Sequence, residues 1–372
     1  MADFVLITHT LWTEAPRIRH QVARLIAEAG HRVIFVERAD GLLAARSAKA
    51  REMETGIEVV RTRRLCHPQL RIVAPLDWFN DAIVARSLRS QLRAVRCSSH
   101  PTIINFTHDG AFLRRVFPRQ TIVTLIHDDF EAQARMPMFG HVTRNLRSTC
   151  AASDRVLAVS TPLVHRLSNW CKPELFLPWS TRPYRAPNLD MADRNILLFW
   201  GHVDVGLDTD RIRGMSEYLR THHPDMQILL VGPTQVASRR AMTVGRLSGL
   251  SNVMVRDSQS LDSLPLDRVL AALIPYRRKP DTDAAELPNK TLSLLSCGLP
   301  IIKTGLPNMV SAPFILSADT DALLDEAMIA CRKNFREWQP DIRGFVESHD
   351  SASRLRMLGI SPISRDGVTK RS

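Results

Sequence analysis

Apolar positions along this chain fall into short runs separated by stretches of helical spacing, and the two patterns alternate from end to end. Phe4-Val-Leu-Ile7 is an apolar run of strand length. Residues 17–29 place Ile18, Val22, Leu25 and Ile26 at helical spacing, and Val33-Ile-Phe-Val36 is apolar again. These three segments predict a β-α-β unit. Further strands are predicted at 57–61, 102–106, 121–126 and 155–160, with helices between them. Residues 172–187 then carry four prolines and read as a linker.

A second alternation follows. Strands are predicted at 196–200, 226–231, 252–255 and 269–274, with a helix over 209–221. Pro288 and Asn289 start a helix that stops at Gly298, and Pro300-Ile-Ile302 opens the next strand. The pattern predicts an α/β chain of two Rossmann-like domains, residues 1–185 and 186–341. A closing helical segment spans 342–359, with apolar periodicity over 345–358, and a polar, disordered tail spans 360–372.

Composition narrows the class. A chain of 372 residues accommodates two domains of ordinary size. No apolar run reaches the length of a membrane span, and Met1-Ala-Asp-Phe4 leads into a strand without a basic region or cleavage site, so a cytoplasmic location is expected. The six cysteines, at 66, 97, 150, 171, 297 and 331, form no metal-type or redox-type pair, so most are expected to be reduced and several buried.

Charge is uneven. Residues 1–185 hold 27 Lys+Arg against 16 Asp+Glu, net +11, leaving 23 against 22, net +1, for the remainder of a chain whose total is +12. The basic half points to an anionic partner, an acidic bilayer surface, a lipid pyrophosphate or nucleic acid; the alternative is an Arg-rich, Lys-poor composition that reflects codon bias and forms no surface patch. No nucleic-acid motif or interleaved aromatic-basic stripe is present, so nucleic acid is not expected. Trp78-Phe79, and arginines 86, 89, 93 and 96 among Leu88, Leu92 and Val95, read as a basic amphipathic helix at an anionic membrane surface. An ordinary helix with a solvated basic face has the same pattern.

The candidate chemistry sits at strand ends. The apolar run 269–275 opens into the charged loop Tyr276-Arg-Arg-Lys279, followed by the helix that starts at Asn289. In an open α/β sheet such a helix start faces the crevice where anions bind, and Lys290 adds a positive charge there. Arg277 and Arg278 are candidates for the same anion. Gly201 in Phe199-Trp-Gly-His202 ends the first strand of the second domain, where a missing Cβ admits a ligand to the backbone; a plain tight turn is the alternative. In the first domain, His108-Asp109-Gly110 and His127-Asp128-Asp129 follow adjacent predicted strands. Neither cluster has a full metal-ligand set.

Pro288-Asn-Lys290, the short helix after it and Cys297-Gly-Leu-Pro-Ile-Ile302 resemble the donor-binding segment of GT-B glycosyltransferases, in the family-4-like group with a PNKxxEYxACGxPVV type of pattern. Gly30-His-Arg-Val-Ile-Phe-Val-Glu37, Ile126-His-Asp-Asp-Phe130, Ser153-Asp-Arg-Val-Leu-Ala-Val-Ser160, Trp200-Gly-His202 and His223-Pro-Asp-Met-Gln-Ile-Leu-Leu-Val-Gly-Pro233 fall in the order this group requires, over most of the chain. The resemblance implies two Rossmann-like domains facing across a cleft, with a C-terminal helix crossing back to the first. It implies a metal-independent hexosyltransferase with no cofactor beyond its nucleotide-sugar co-substrate. The sugar passes, with retention, to a lipid-linked or polysaccharide-precursor saccharide at the inner face of the plasma membrane. Gly201, His202, Arg277, Asn289, Lys290, Thr291 and Ser293 then hold the donor, and His127 and Asp128 contact the acceptor hydroxyl and the transferring sugar. The alternative for the latter pair is capping of a strand and of the next helix.

The chain departs from the pattern. Ser293 stands where a Glu commonly holds the donor ribose, and the partner acidic position falls on Ala285, with Glu286 one residue off. The Arg and Lys that usually follow the Gly201-type turn are absent. Losing a bidentate carboxylate weakens ribose recognition by on the order of 1–3 kcal/mol unless another group compensates. A degenerate, non-catalytic GT-B binding or scaffold subunit is therefore the alternative function, and an epimerase is less supported because its carboxylates are not identifiable.

Overall fold

The computed structural model describes residues 1–14, 17–42, 50–65, 74–134, 139–203, 206–233, 245–280 and 282–363. The chain divides into two compact units, Met1–Leu177 with Ser351–Ser372, and Pro178–Asp350. Their boundary lies inside the proline-rich segment.

The first unit is built on an eight-stranded sheet of β1 (Asp3–Ile7), β2 (Arg32–Gly41), β3 (Arg51–Glu54), β4 (Ile57–Arg64), β5 (Thr102–Asn105), β6 (Ile122–Ile126), β7 (Arg155–Ala158) and β8 (Pro173–Leu175), in the order β3-β4-β2-β1-β5-β6-β7-β8. Every pairing is parallel except β3 with β4. All five residues of β1 and of β6 are buried. Burial on both faces makes such strands continuous apolar runs and so legible in sequence. The sheet edges were not: β3 is the polar Arg-Glu-Met-Glu, and β8 lies within the segment read as linker, with its proline at the first position, where an edge strand tolerates it.

The second unit carries six parallel strands: β9 (Ile196–Trp200), β10 (Gln227–Val231), β11 (Val253–Arg256), β12 (Val269–Pro275), β13 (Ile301–Thr304) and β14 (Ile315–Ser317). Their order is β11-β10-β9-β12-β13-β14. This is the doubly wound order in which the chain starts at the middle of the sheet and reverses direction there. All seven residues of β12 are buried; each apolar side chain of Leu or Ile size contributes on the order of 1.5–3 kcal/mol by leaving water.

Two expectations for the C-terminus change. The periodic segment 345–358 is two helices, Gln339–Ser348 and Ser351–Met357, and the unit boundary falls between them. The break lies in Ser348-His-Asp-Ser351, whose side chains compete with the helical backbone for hydrogen bonds. The later helix returns to the first unit, where Arg354 Nε donates to the carbonyl of Leu177 at 2.6 Å. The tail is ordered at its start: Ile360 is buried, Ile363 N donates to Ala29 O at 2.9 Å, and His31 Nε2 donates to Ser361 O at 2.9 Å. Residues 364–372 lie outside the described residues.

The arginine-bearing segment is the end of the helix Ala74–Ala94. Its Leu88 and Leu92, with Val95 just beyond, belong to the core beside β1 and β5, so the amphipathic pattern serves packing onto the sheet. Arg86, Arg89, Arg93 and Arg96 are exposed. At the other end of this helix Leu76, Trp78 and Phe79 are exposed, with the two aromatic rings 5.1 Å apart. Among the described residues no helix is long and apolar enough to cross a membrane. The five described cysteines are unpaired, and Cys66 lies outside the described residues.

Candidate active site

In each unit the polar residues gather where the strand order reverses, at the carboxyl ends of the two central strands, because diverging connections leave a crevice there. In the second unit these strands are β9 and β12.

Lys290, in the first turn of the helix Asn289–Leu295, places its ammonium 4.2 Å from the centroid of the Phe199 ring on β9 and 4.8 Å from that of Tyr276 just past β12. Among the described residues it forms no ion pair. Two ring faces therefore hold the cation in place and leave its N–H donors to an incoming anion. Gly201 makes room for this. Its φ of +149° lies in the region that favours glycine, and a Cβ there would stand 2.6 Å from Lys290 Nζ. Gly201 N donates to Val231 O at 2.9 Å, and a Cβ on Gly232, one strand over, would stand 1.6 Å from Gly201 O. Gly232, Phe199 and Tyr276 were not among the residues sequence reasoning selected. Their signal was weak: apolar or small residues that meet only through the fold.

The other donor candidates are placed as follows. Asn289 is the first residue of its helix, and its side-chain amide makes no hydrogen bond with a described residue. Thr291 is fully buried, and its Oγ1 has no hydrogen-bond partner among the described residues. Ser293 is half-buried; its carbonyl accepts from Ser296 Oγ at 2.8 Å. His202 is half-buried beside Gly201. Arg277 is turned to a carboxylate, 3.3 Å from Asp210, and Arg278 lies 4.0 Å from Asp283. The helix is only seven residues long, so the charge available here is chiefly that of Lys290.

In the first unit the reversal lies between β1 and β5. His127, past β6, packs against Phe106 and Phe130, with ring centroids 6.1 and 5.2 Å away. Its Nε2 meets the guanidinium of Arg19, which also reaches Thr10 Oγ1. Burial first, and the Arg19 charge second, push the His127 pKa well below the usual imidazole range. Burial likewise lowers Arg19 to about 10. Asp128 is half-buried and accepts from Asp129 N at 3.0 Å. The helix cap is Asp129, which accepts from Ala132 N at 3.0 Å and pairs with Arg166.

A pocket partly open to solvent lies at the ends of β1, β2 and β5 and against the helix Ala74–Ala94. His9, Asp109, Glu37, Asn80, Asp81 and Phe112 are in its wall; His127 and Asp128 are not. His9 Nε2 lies 2.9 Å from Asp109 Oδ1, with the imidazole 44% exposed and the carboxylate 7%. Sequence reasoning noted Asp109 within a strand-end cluster and missed His9, whose signal is a polar residue directly after an apolar strand at the start of the chain. Among the described residues no group of three or more His, Cys, Asp or Glu side chains is disposed to hold a metal ion.

No protein-family model and no curated protein matches this sequence. Solved structures do match in fold. The glycosyltransferase WaaG, involved in lipopolysaccharide biosynthesis, aligns with 96% of this chain and 98% of its own at a TM-score of 0.64 and 14% identity. An α,α-trehalose-phosphate synthase (UDP-forming) from Burkholderia xenovorans, in complex with glucose-6-phosphate, aligns over 96% and 99% at 0.67 and 11%. Anabaena HepE, in complex with UDP and glucose, aligns over 95% and 98% at 0.63 and 12%. Likeness of this extent at such low identity is a matter of architecture, and the chain has the GT-B fold of these glycosyltransferases.

Proposed function

We propose that this protein is a glycosyltransferase that moves a sugar from a nucleoside-diphosphate sugar to a saccharide acceptor carried on a lipid at a membrane surface. The observation that carries the reading is Lys290, an ammonium held by Phe199 and Tyr276, without an ion-pair partner among the described residues, over a glycine that leaves the backbone open. A departing diphosphate needs charge neutralisation from groups already in position, and this arrangement supplies it. Asn289 and Thr291 add polar side chains beside it that make no hydrogen bond with a described residue. Ser293 and His202 take the place of stronger recognition groups on the ribose and diphosphate sides. The nucleotide sugar is a co-substrate, and no other cofactor is proposed.

The acceptor side rests on the first unit. Asn80, Asp81, Val84 and Leu88 of the helix Ala74–Ala94 line the pocket, while Leu76, Trp78 and Phe79 of the same helix are exposed. Exposed aromatics with nearby arginines suit the headgroup region of an anionic leaflet, on the cytoplasmic side where the donor is found. His127 and Asp128 are proposed to shape the crevice through Arg19. The test is transfer itself: release of nucleoside diphosphate from UDP-glucose, UDP-galactose, UDP-glucuronate or GDP-mannose that depends on a prenyl-diphosphate-linked sugar. Nucleotide binding without turnover on any acceptor would favour the non-catalytic binding subunit, which the missing carboxylate at Ser293 supports.

A further inference from the structure

We propose that Ser293 leaves the donor site indifferent to the 2′-hydroxyl of the nucleotide, so that a sugar carried on a 2′-deoxyribonucleoside diphosphate serves this protein as well as one carried on a ribonucleotide. The inference rests on the transferase reading above and concerns the second unit alone.

The helix Asn289–Leu295 presents little to a ligand. Asn289, Lys290 and Ser293 are half-buried, and every other residue from Thr291 to Pro300 is buried. Lys290 and Ser293 stand three residues apart and so share one side of the helix, with Cβ atoms about 5–6 Å from each other. That separation suits the step from a phosphate to the pentose beside it. A nucleotide whose phosphates meet Lys290 and whose pentose lies along the helix therefore meets Ser293, the one accessible side chain of residues 291–300.

Ser293 brings a hydroxyl that makes no hydrogen bond with a described residue, while its carbonyl accepts from Ser296 Oγ at 2.8 Å and Cys297 Sγ at 3.6 Å. A carboxylate at this place would accept from both neighbouring hydroxyls of ribose at once, through charge-assisted bonds roughly twice as strong as neutral ones. A serine hydroxyl is short and neutral, and a bond to the 3′-hydroxyl, which ribose and deoxyribose share, occupies its donor. The 2′-hydroxyl then gains nothing that water does not already give it.

Carboxylates nearby are held by cations. Asp262, whose charge reaches Cys297 one turn beyond Ser293, is paired with Arg182 and, at 3.1 Å, with Arg185. Asp283, in the turn Thr282–Ala284 before the helix, faces Arg278 at 4.0 Å, and Asp210 faces Arg277 at 3.3 Å.

The test is calorimetric titration of UDP against 2′-deoxy-UDP, and of GDP against 2′-deoxy-GDP, so that the members of each pair differ in one hydroxyl. Wild type, Ser293→Glu, Ser293→Gln and Ser293→Ala are compared, each first shown by its melting temperature to be folded. For whichever base binds, wild type should hold the two members within about threefold of each other. Ser293→Glu supplies the carboxylate at an accessible helix position that suits Glu, and should prefer the ribonucleotide by about tenfold or more. Ser293→Gln, of the same length but uncharged, guards against repulsion of the diphosphate by the new charge and should shift the ratio the same way by a smaller factor. Ser293→Ala should keep the wild-type ratio. A wild type that favours the ribonucleotide by more than about threefold, or a changed ratio in Ser293→Ala, would overturn the proposal. So would a ratio unmoved in both longer variants, or loss of all binding in both, since either result would place Ser293 away from the pentose. Binding of no member of either pair to wild type would overturn the transferase reading first, and this inference with it.

Discussion

A Cβ on Gly201 would stand 2.6 Å from the ammonium nitrogen of Lys290 and 3.1 Å from the carbon that bears it. The glycine and the lysine are thus two halves of one device, since the cation can lie over the strand end only where no side chain occupies it. Gly201→Ala should push the lysine aside and strain a backbone at φ +149°, lowering stability by about 1–3 kcal/mol. Affinity for UDP should fall about tenfold. Gly232→Ala meets a backbone oxygen at 1.6 Å, which cannot move aside as a lysine can, and should destabilise more. Urea unfolding and calorimetry on both variants check the order.

Thr291 carries a buried hydroxyl with no hydrogen-bond partner among the described residues. Thr291→Val keeps the shape and removes the polar group, so the ligand-free protein should be unchanged or more stable by up to about 1 kcal/mol. A loss of more than that would show that the hydroxyl already has a partner, such as an ordered water.

Stability should fall on mild acidification. The unfolded chain protonates His127 near pH ~6.5, whereas in the folded chain burial and Arg19 hold it neutral well below that. The unfolded state then binds more protons, so the contribution of this site is complete above about pH 7 and declines as pH falls below about 6.5. His20, lowered mainly by burial, acts in the same sense. His127→Gln should flatten the slope of unfolding free energy between about pH 6.5 and 5. An unchanged slope in urea titrations at stepped pH would contradict this.

The exposed pair Trp78 and Phe79, 56% and 54% exposed, should govern membrane contact. Trp78→Ser with Phe79→Ser should lower partitioning onto phosphatidylserine-containing vesicles about tenfold or more. Replacing Arg86, Arg89 and Arg93 with Gln should mainly reduce the salt dependence. Partitioning that neither change alters would remove the membrane from the account.

Much of this was legible beforehand, and the reason differs by element. Strands such as β1 and β12 are buried on both faces and so print unbroken apolar runs. The helix start that carries Lys290 was legible because proline and asparagine at that place carry local information. The Phe199 and Tyr276 rings that hold Lys290 were not, since their meeting is a product of strand order. His9 and Asp109 are a hundred residues apart, and no local pattern announces their contact. Edge strands failed for another reason: β3 is polar, and its ladder partner β4 supplies most of what defines it.

The account stands on Lys290 as the group that receives the donor diphosphate. Calorimetric titration of UDP and GDP into wild type and Lys290→Ala, each first shown to be folded, tests it most directly. The prediction is micromolar-range binding of one nucleotide to wild type and an affinity at least tenfold weaker in the variant, with melting temperature unchanged. Equal affinity in the two proteins, or binding of neither nucleotide to wild type, would contradict it.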